Sequence, residues 1–221
     1  MPASFTLPET SSSGKSQAGT AWSRVGTGQT VVFLHGVGMN KSVWAPEVNI
    51  LSQSFDVLIY DMWGHGDSDL PDGELALSDY TKQLVDLLAE LEISSVFIAV
   101  HSMGGLIAID FALDYPEICL GMCALNAVFN RTAAQSESVI KRSADLATGG
   151  VTVNLTDTLQ RWFGDSGDHE FQAAENLAKN LLLEVNPLGY AKAYSVFANS
   201  DKVHLDRLAN LVAPALFFTA D

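Results

Sequence analysis

Apolar residues along the chain recur with two different periods. Short runs with few polar interruptions occur at about 31–35, 55–60, 95–100, 119–125 and 215–219, each of a length that fits a buried strand. Between them the period lengthens to that of a helix. The clearest case is 79–91, where Tyr80, Leu84, Leu87, Leu88 and Leu91 line one face and Ser78 is placed to cap the first turn. Strands alternating with helices predict an α/β fold with a mostly parallel, doubly wound sheet covered on both faces. The alternation lapses between Asn126 and Pro214. There helical stretches at about 132–147, 155–163, 169–184 and 188–199 follow one another with no strand between them, the pattern of an inserted helical lid. The expected divisions are a disordered tail at 1–19, an α/β core at 20–126, the lid at 127–212 and a late core strand at 213–221. No internal repeat is visible.

The chain has 221 residues, 48% hydrophobic and 17% charged, enough to bury one substantial core. A formal net charge of −14 repels phosphate backbones and anionic lipid, which argues against nucleic acid and membrane surfaces as partners. Cys119 and Cys123 share one face of an expected strand but stand too far apart for an unstrained disulfide, so they read as reduced core residues. A reducing cytoplasm is the expected compartment. Residues 1–19 are rich in Ser, Thr, Gly and Pro and lack an apolar core, which fits a disordered tail rather than a signal peptide. No apolar run is long enough to span a bilayer.

The candidate chemistry centres on Ile98-Ala99-Val100-His101-Ser102-Met103-Gly104-Gly105-Leu106. An apolar run ends at a serine, two glycines follow, and a helix-forming stretch begins: the layout of a nucleophile elbow centred on Ser102. A serine hydroxyl acts as a nucleophile when it is lifted clear of the sheet beside a base and oxyanion donors, and Gly104 and Gly105 let the backbone pass close beneath such a turn. Val100 stands where the usual motif has a small residue, and its branched Cβ is expected to crowd the adjacent helix. Upstream, Val31-Val32-Phe33-Leu34 runs into His35-Gly36-Val37-Gly38, a loop able to bring a backbone N–H beside the serine. The apolar run 55–60 leads into Asp61-Met62-Trp63-Gly64-His65-Gly66-Asp67-Ser68.

These three motifs, in this order and at these intervals, resemble those of the α/β-hydrolase superfamily, from about residue 20 to the last residue. The resemblance implies that Ser102 attacks an acyl carbon, that the N–H groups of Val37 and Met103 hold the oxyanion, and that water then hydrolyses the acyl-enzyme. It implies that His35 and His65 brace their loops, that Asp61 is structural, and that the lid covers the active site. His101 is expected to point to the other side of the strand end, away from Ser102. His169 and His204 read as surface residues. Met39, Trp44 and Met103 surround the cleft from the core side, and among the lid aromatics Trp162 and Phe163 are chosen to face substrate. The Arg161-Trp162-Phe163 segment and its spacing to 186–190 resemble 3-oxoadipate enol-lactonases and related ester and lactone hydrolases, with Arg161 as a clamp for a substrate carboxylate.

In that superfamily the catalytic acid and histidine follow the nucleophile in that order. Here the stretch 214–221 resembles the late strand and the opening of the acid loop, with Asp221 about two residues short of the acid position and no histidine after it. The expectation is a C-terminally incomplete hydrolase that lacks its last strand and helix, on the order of 40–50 residues, and is inactive as it stands. Two classes stay open: a serine hydrolase of a carboxylic ester or lactone, an enol-lactone or a C–C bond substrate among them, and a non-catalytic small-molecule-binding protein on the same scaffold. A metal site is disfavoured because Asp168, His169 and Glu170 are contiguous and cannot converge. No dinucleotide fingerprint follows the first strand, so no cofactor is implied. The expected partner is a small-molecule substrate, and oligomeric state is not readable.

Overall fold

In a computed structural model, which describes residue 8, residues 11–165 and residues 169–219, the apolar runs form the middle of a seven-stranded sheet. The strands are β1 (Ser12–Lys15), β2 (Ala21–Val25), β3 (Thr30–Leu34), β4 (Asp56–Tyr60), β5 (Val96–His101), β6 (Cys119–Leu125) and β7 (Ala215–Phe218). Their order is β1-β2-β4-β3-β5-β6-β7. β2 pairs antiparallel with β1 and β4, and the remaining neighbours are parallel, with Val32 opposite both Leu58 and Ile98. The helices are α1 (Ala45–Leu51), α2 (Leu77–Glu90), α3 (Met103–Asp114), α4 (Ala133–Gly149), α5 (Leu155–Phe163), α6 (His169–Glu184) and α7 (Pro187–Asn199). The last four lie consecutively between β6 and β7.

Strand alternation distributes the apolar side chains to two layers. Val32, Leu34, Leu58, Tyr60 and Ile98 pack with α2 and α3 on one face, while Phe33, Val57 and Ile59 pack against Trp44 and Val48 on the other. Both faces are thus covered, and full burial of a large aliphatic or aromatic side chain contributes about 1.5–3 kcal/mol over leaving it exposed. Among the described residues no helix is long and apolar enough to cross a membrane.

Two readings need correction. The disordered tail expected at 1–19 gives way in its second half to β1, followed by a turn that enters β2; residues 1–7, 9 and 10 lie outside the described residues. All four β1 residues are exposed, so no alternation marks the strand, and its order comes from backbone pairing with β2 and from Lys15 Nζ, 2.8 Å from Asp69. The helix expected at 79–91 starts at Leu77, and Ser78 lies inside its first turn. The Asp79 carboxylate takes the capping role, accepting the Ala76 N–H at 2.7 Å.

Candidate active site

β5 ends at the elbow. Ser102 has φ 55° and ψ −117°, the left-handed region that an ordinary side chain avoids, and α3 begins at the next residue. The turn is held from both sides: the Ser102 N–H donates to the Leu125 carbonyl and the Gly105 N–H to the Ser102 carbonyl, both at 2.9 Å. The crowding expected from Val100 is absorbed by the glycine opposite. A Cβ on Gly104 would lie 3.1 Å from the Val100 Cβ and 3.2 Å from the Leu34 carbonyl oxygen, so the missing side chain makes room for the valine. A Cβ on Gly105 would come within 2.5 Å of that of Ala127.

The loop after β3 passes close to this turn. A Cβ on Gly36 would stand 2.9 Å from His101 Nδ1 and 3.1 Å from the Ser102 Cβ. Val37 is buried within the loop and Met103 opens α3, and neither N–H donates to another group among the described residues. An N–H at the first position of a helix has no partner within the helix, and the helix dipole favours negative charge there.

Two buried histidines fasten the loop after β3 to the loop after β4. His35 Nε2 accepts the Met62 N–H and His65 Nε2 accepts the Gly38 N–H, both at 3.0 Å. Because these nitrogens face donors, each ring carries its proton on Nδ1, which donates to the carbonyl of Gly36 from His35 and of Trp63 from His65. Burial pushes His35 down to about 4 and His65 down to about 3, so both are neutral near pH 7. Asp61 is fully buried and accepts from the Lys41 N–H and the Asp67 N–H and pairs with Lys41 Nζ at 2.7 Å, anchoring the start of the second loop.

A cavity of about 1200 Å³ opens beside the elbow. Ser102, Val37, Met39, Trp44, Arg161, Trp162 and Phe163 all line it, although they come from two core loops, the turn before α1 and helix α5. Met103 is fully buried behind the wall. His101, expected to face away, lines the same cavity because the elbow turns its ring beneath the 35–38 loop, where burial lowers its pKa. His204, expected at the surface, is 1% exposed: the turns after α7 fold onto α3 and bring its Nε2 to 3.3 Å from Asp110. His169 is exposed, while Asp168 and Asp221 lie outside the described residues. The sequence reading missed Arg131, Arg142 and Tyr194 in the cavity wall. Helical spacing alone does not separate an arginine that faces a cavity from one that faces water.

A family model described as alpha/beta hydrolase fold matches residues 29–200. The chain is 36% identical over 194 residues to (E)-2-((N-methylformamido)methylene)succinate hydrolase of Acinetobacter baylyi, covering 88% of this chain and 72% of the relative. It is 28% identical over 196 residues to 3-oxoadipate enol-lactonase 1 of the same organism, covering 84% and 68%. In fold it is similar to the crystal structure of an enol-lactonase from Burkholderia xenovorans LB400, with a TM-score of 0.78 at 21% identity over 91% of this chain and 88% of that one. A thermophilic esterase from Thermogutta terrifontis gives 0.79 at 21% identity over 90% and 74%. With its parallel sheet, its elbow and these matches, the chain belongs to the alpha/beta hydrolase fold family, and the relatives named here are hydrolases.

Proposed function

We propose that the chain is a serine hydrolase that cleaves a carboxylic ester or lactone, an enol-lactone among them, through an acyl-enzyme on Ser102. The observation that carries this reading is the left-handed backbone of Ser102 at the strand-to-helix turn, on the wall of the cavity. Such a conformation costs on the order of 1–3 kcal/mol and persists where the surroundings over-determine it. The bonds to Leu125 and Gly105 and the bare glycines around the turn supply that support.

Ser102 Oγ attacks the acyl carbon as a general base takes its proton and later delivers it to the departing oxygen, and the carbonyl oxygen becomes an oxyanion held by the N–H groups of Val37 and Met103. Collapse expels the alcohol or opens the lactone ring, and water then hydrolyses the ester formed on Ser102. A fixed donor of this kind is worth about 2.7–4 kcal/mol of barrier. The two bracing histidines act on this step indirectly, since they set the loop that carries Val37. Their ring nitrogens are all engaged, so neither is the base that takes the Ser102 proton. Helices α4–α7 serve as a lid whose Trp162 and Phe163, with Met39 and Trp44 opposite, exclude water from the reacting bond. The enol-lactonase and the substituted-succinate hydrolase among the relatives support a small acyl substrate.

The test is labelling by a fluorophosphonate, read by mass spectrometry of the intact protein and its peptides, with hydrolysis of a short-chain aryl ester in parallel. Label on Ser102 that disappears in Ser102→Ala is expected. Label that persists in the variant would refute the nucleophile.

A further inference from the structure

We infer that His204 is a pH-sensitive latch: while its ring is neutral it holds the segment between α7 and β7 on the elbow helix α3, and when the ring takes a proton it releases that segment. The consequence for the cavity rests on the reading of α4–α7 as a lid; the latch itself stands alone.

The two ends of the α4–α7 run are tied to each other and then to α3. The Asn130 N–H donates to the Asp201 carbonyl at 3.0 Å, and the Arg131 N–H and Nη1 reach the Asp201 carboxylate at 2.7 Å and 3.1 Å. Residues 130–131 before α4 and Asp201 after α7 thus move as one unit. Among the described residues, its charged contacts with α3 are His204 with Asp110 and Arg207 with Asp114, one helical turn apart. The side chains of Arg207 and Asp114 are 43% and 42% exposed, and an ion pair so open to water contributes little. The polar hold therefore falls on His204, which is 1% exposed.

The surroundings of His204 suit a neutral ring. Nε2 stands 3.3 Å from Asp110 Oδ1, and Nδ1 has no hydrogen-bond partner among the described residues. Asp110 is itself buried, and its other oxygen accepts the Thr81 hydroxyl of α2 at 2.7 Å. A neutral ring that carries its proton on Nε2 turns it toward Asp110 and leaves one acceptor unused. A second proton has to go on Nδ1, where it makes a buried N–H without an acceptor and adds a charge. Burial outweighs the pull of Asp110 and Asp114 on α3, Arg207 on the same segment opposes the charge as well, and the pKa is lowered. Once the segment lifts, the ring is in water and takes a proton near the ordinary value of about 6.5, so protonation and release favour each other. His35 and His65 have no such freedom, since backbone groups of the core loops hold all their ring nitrogens. Arg131, Tyr194 and Phe197, which sit at the tied ends of the run, line the cavity, so acid release loosens that wall.

The test is hydrogen–deuterium exchange of the full chain at about pH 7.5 and about pH 5.5, with exchange times scaled to equal intrinsic rates and peptides read by mass spectrometry. Residues 200–211 and the end of α7 are expected to lose up to about 10-fold in protection at the lower pH, the factor by which protonation favours an exposed imidazole one unit below its pKa. His204→Gln keeps a donor for Asp110 but cannot titrate, and should abolish that loss while the core strands, which answer to His35 and His65, keep theirs. Asp110→Asn removes the strongest pull toward a charged ring and should leave the loss at least as large. Far-ultraviolet circular dichroism and melting temperature establish that each variant is folded. Protection of 200–211 that is equal at the two pH values, a loss that persists in His204→Gln, or one that vanishes in Asp110→Asn overturns the inference. A loss confined to 200–211, with α4 and α7 unchanged, upholds the latch and rejects a lid that swings with it.

Discussion

Acidification from about pH 7 to about pH 5.5 is expected to remove about 2.5 kcal/mol of stability through His35 and His65 alone. In the folded protein both Nε2 atoms accept backbone N–H bonds at 3.0 Å, and the ring centres are 5.4 Å apart. A proton on either Nε2 would confront an N–H donor, break a bond between the two loops and bring a charge into a fully buried site. The folded rings therefore stay neutral down to about 4 for His35 and about 3 for His65. In the unfolded chain they take protons near the ordinary histidine value of about 6.5. Below that value the unfolded state binds more protons, so stability falls with falling pH until the folded rings also titrate. One unit below it, each ring costs about 1.4 kcal/mol. His101 and His204, whose pKa values burial also lowers, act with the same sign. Urea melts across this pH range would measure the slope, and histidine ring resonances would measure the folded pKa values directly. His65→Gln keeps an acceptor for the Gly38 N–H but cannot titrate, and should flatten the slope by about 0.8 kcal/mol per pH unit averaged over this range. A midpoint that does not move between about pH 7 and 5.5, or five histidines that all titrate near 6.5, would refute the buried neutral pair.

Gly189 meets Gly64 backbone to backbone, and a Cβ there would fall 2.3 Å from the Gly64 carbonyl oxygen and 2.6 Å from its Cα. Gly189→Ala should therefore destabilise by about 1–3 kcal/mol, lowering the melting temperature by about 2–4 °C per kcal/mol; an unchanged melting temperature would mean that α7 does not press on this loop. Asp201→Ala strands the buried Arg131 charge and Arg131→Met strands the equally buried Asp201 carboxylate, so each should cost about 3–5 kcal/mol. The double variant, which leaves neither charge unpaired, should cost less than the sum of the two in chemical denaturation, and additive losses would contradict a penalty dominated by the stranded charge.

The elbow and its loops were readable in the sequence because their constraints act on the backbone. A left-handed serine, a loop passing against the Ser102 Cβ and a helix packed against Ala127 each require a glycine or a short chain at a stated position, and Gly36, Gly104 and Gly105 stand there. The parallel strands were readable for a similar reason. Val32, Leu34 and Phe33 face two apolar layers, and burial on both sides leaves a continuous apolar run. β1 left no such trace, since a strand whose side chains all face solvent is held by backbone bonds that any residue except proline can make.

What the sequence left hidden are pairings of side chains brought together from distant helices and turns. His204 reads as an ordinary polar residue until the turns after α7 lay it on Asp110, and its burial depends on a helix formed far upstream. Arg142 and Arg131 both line the cavity and give the same composition signal, but Arg131 pairs with Asp201 while Arg142 donates to the hydroxyls of Tyr194 and Ser138. A turn that depends on backbone shape writes glycines at fixed offsets from the serine at its centre, so the elbow is visible early. The ion pair of Arg131 with Asp201 depends on side chains 70 positions apart, and it becomes visible when every neighbouring side chain has been put in its place.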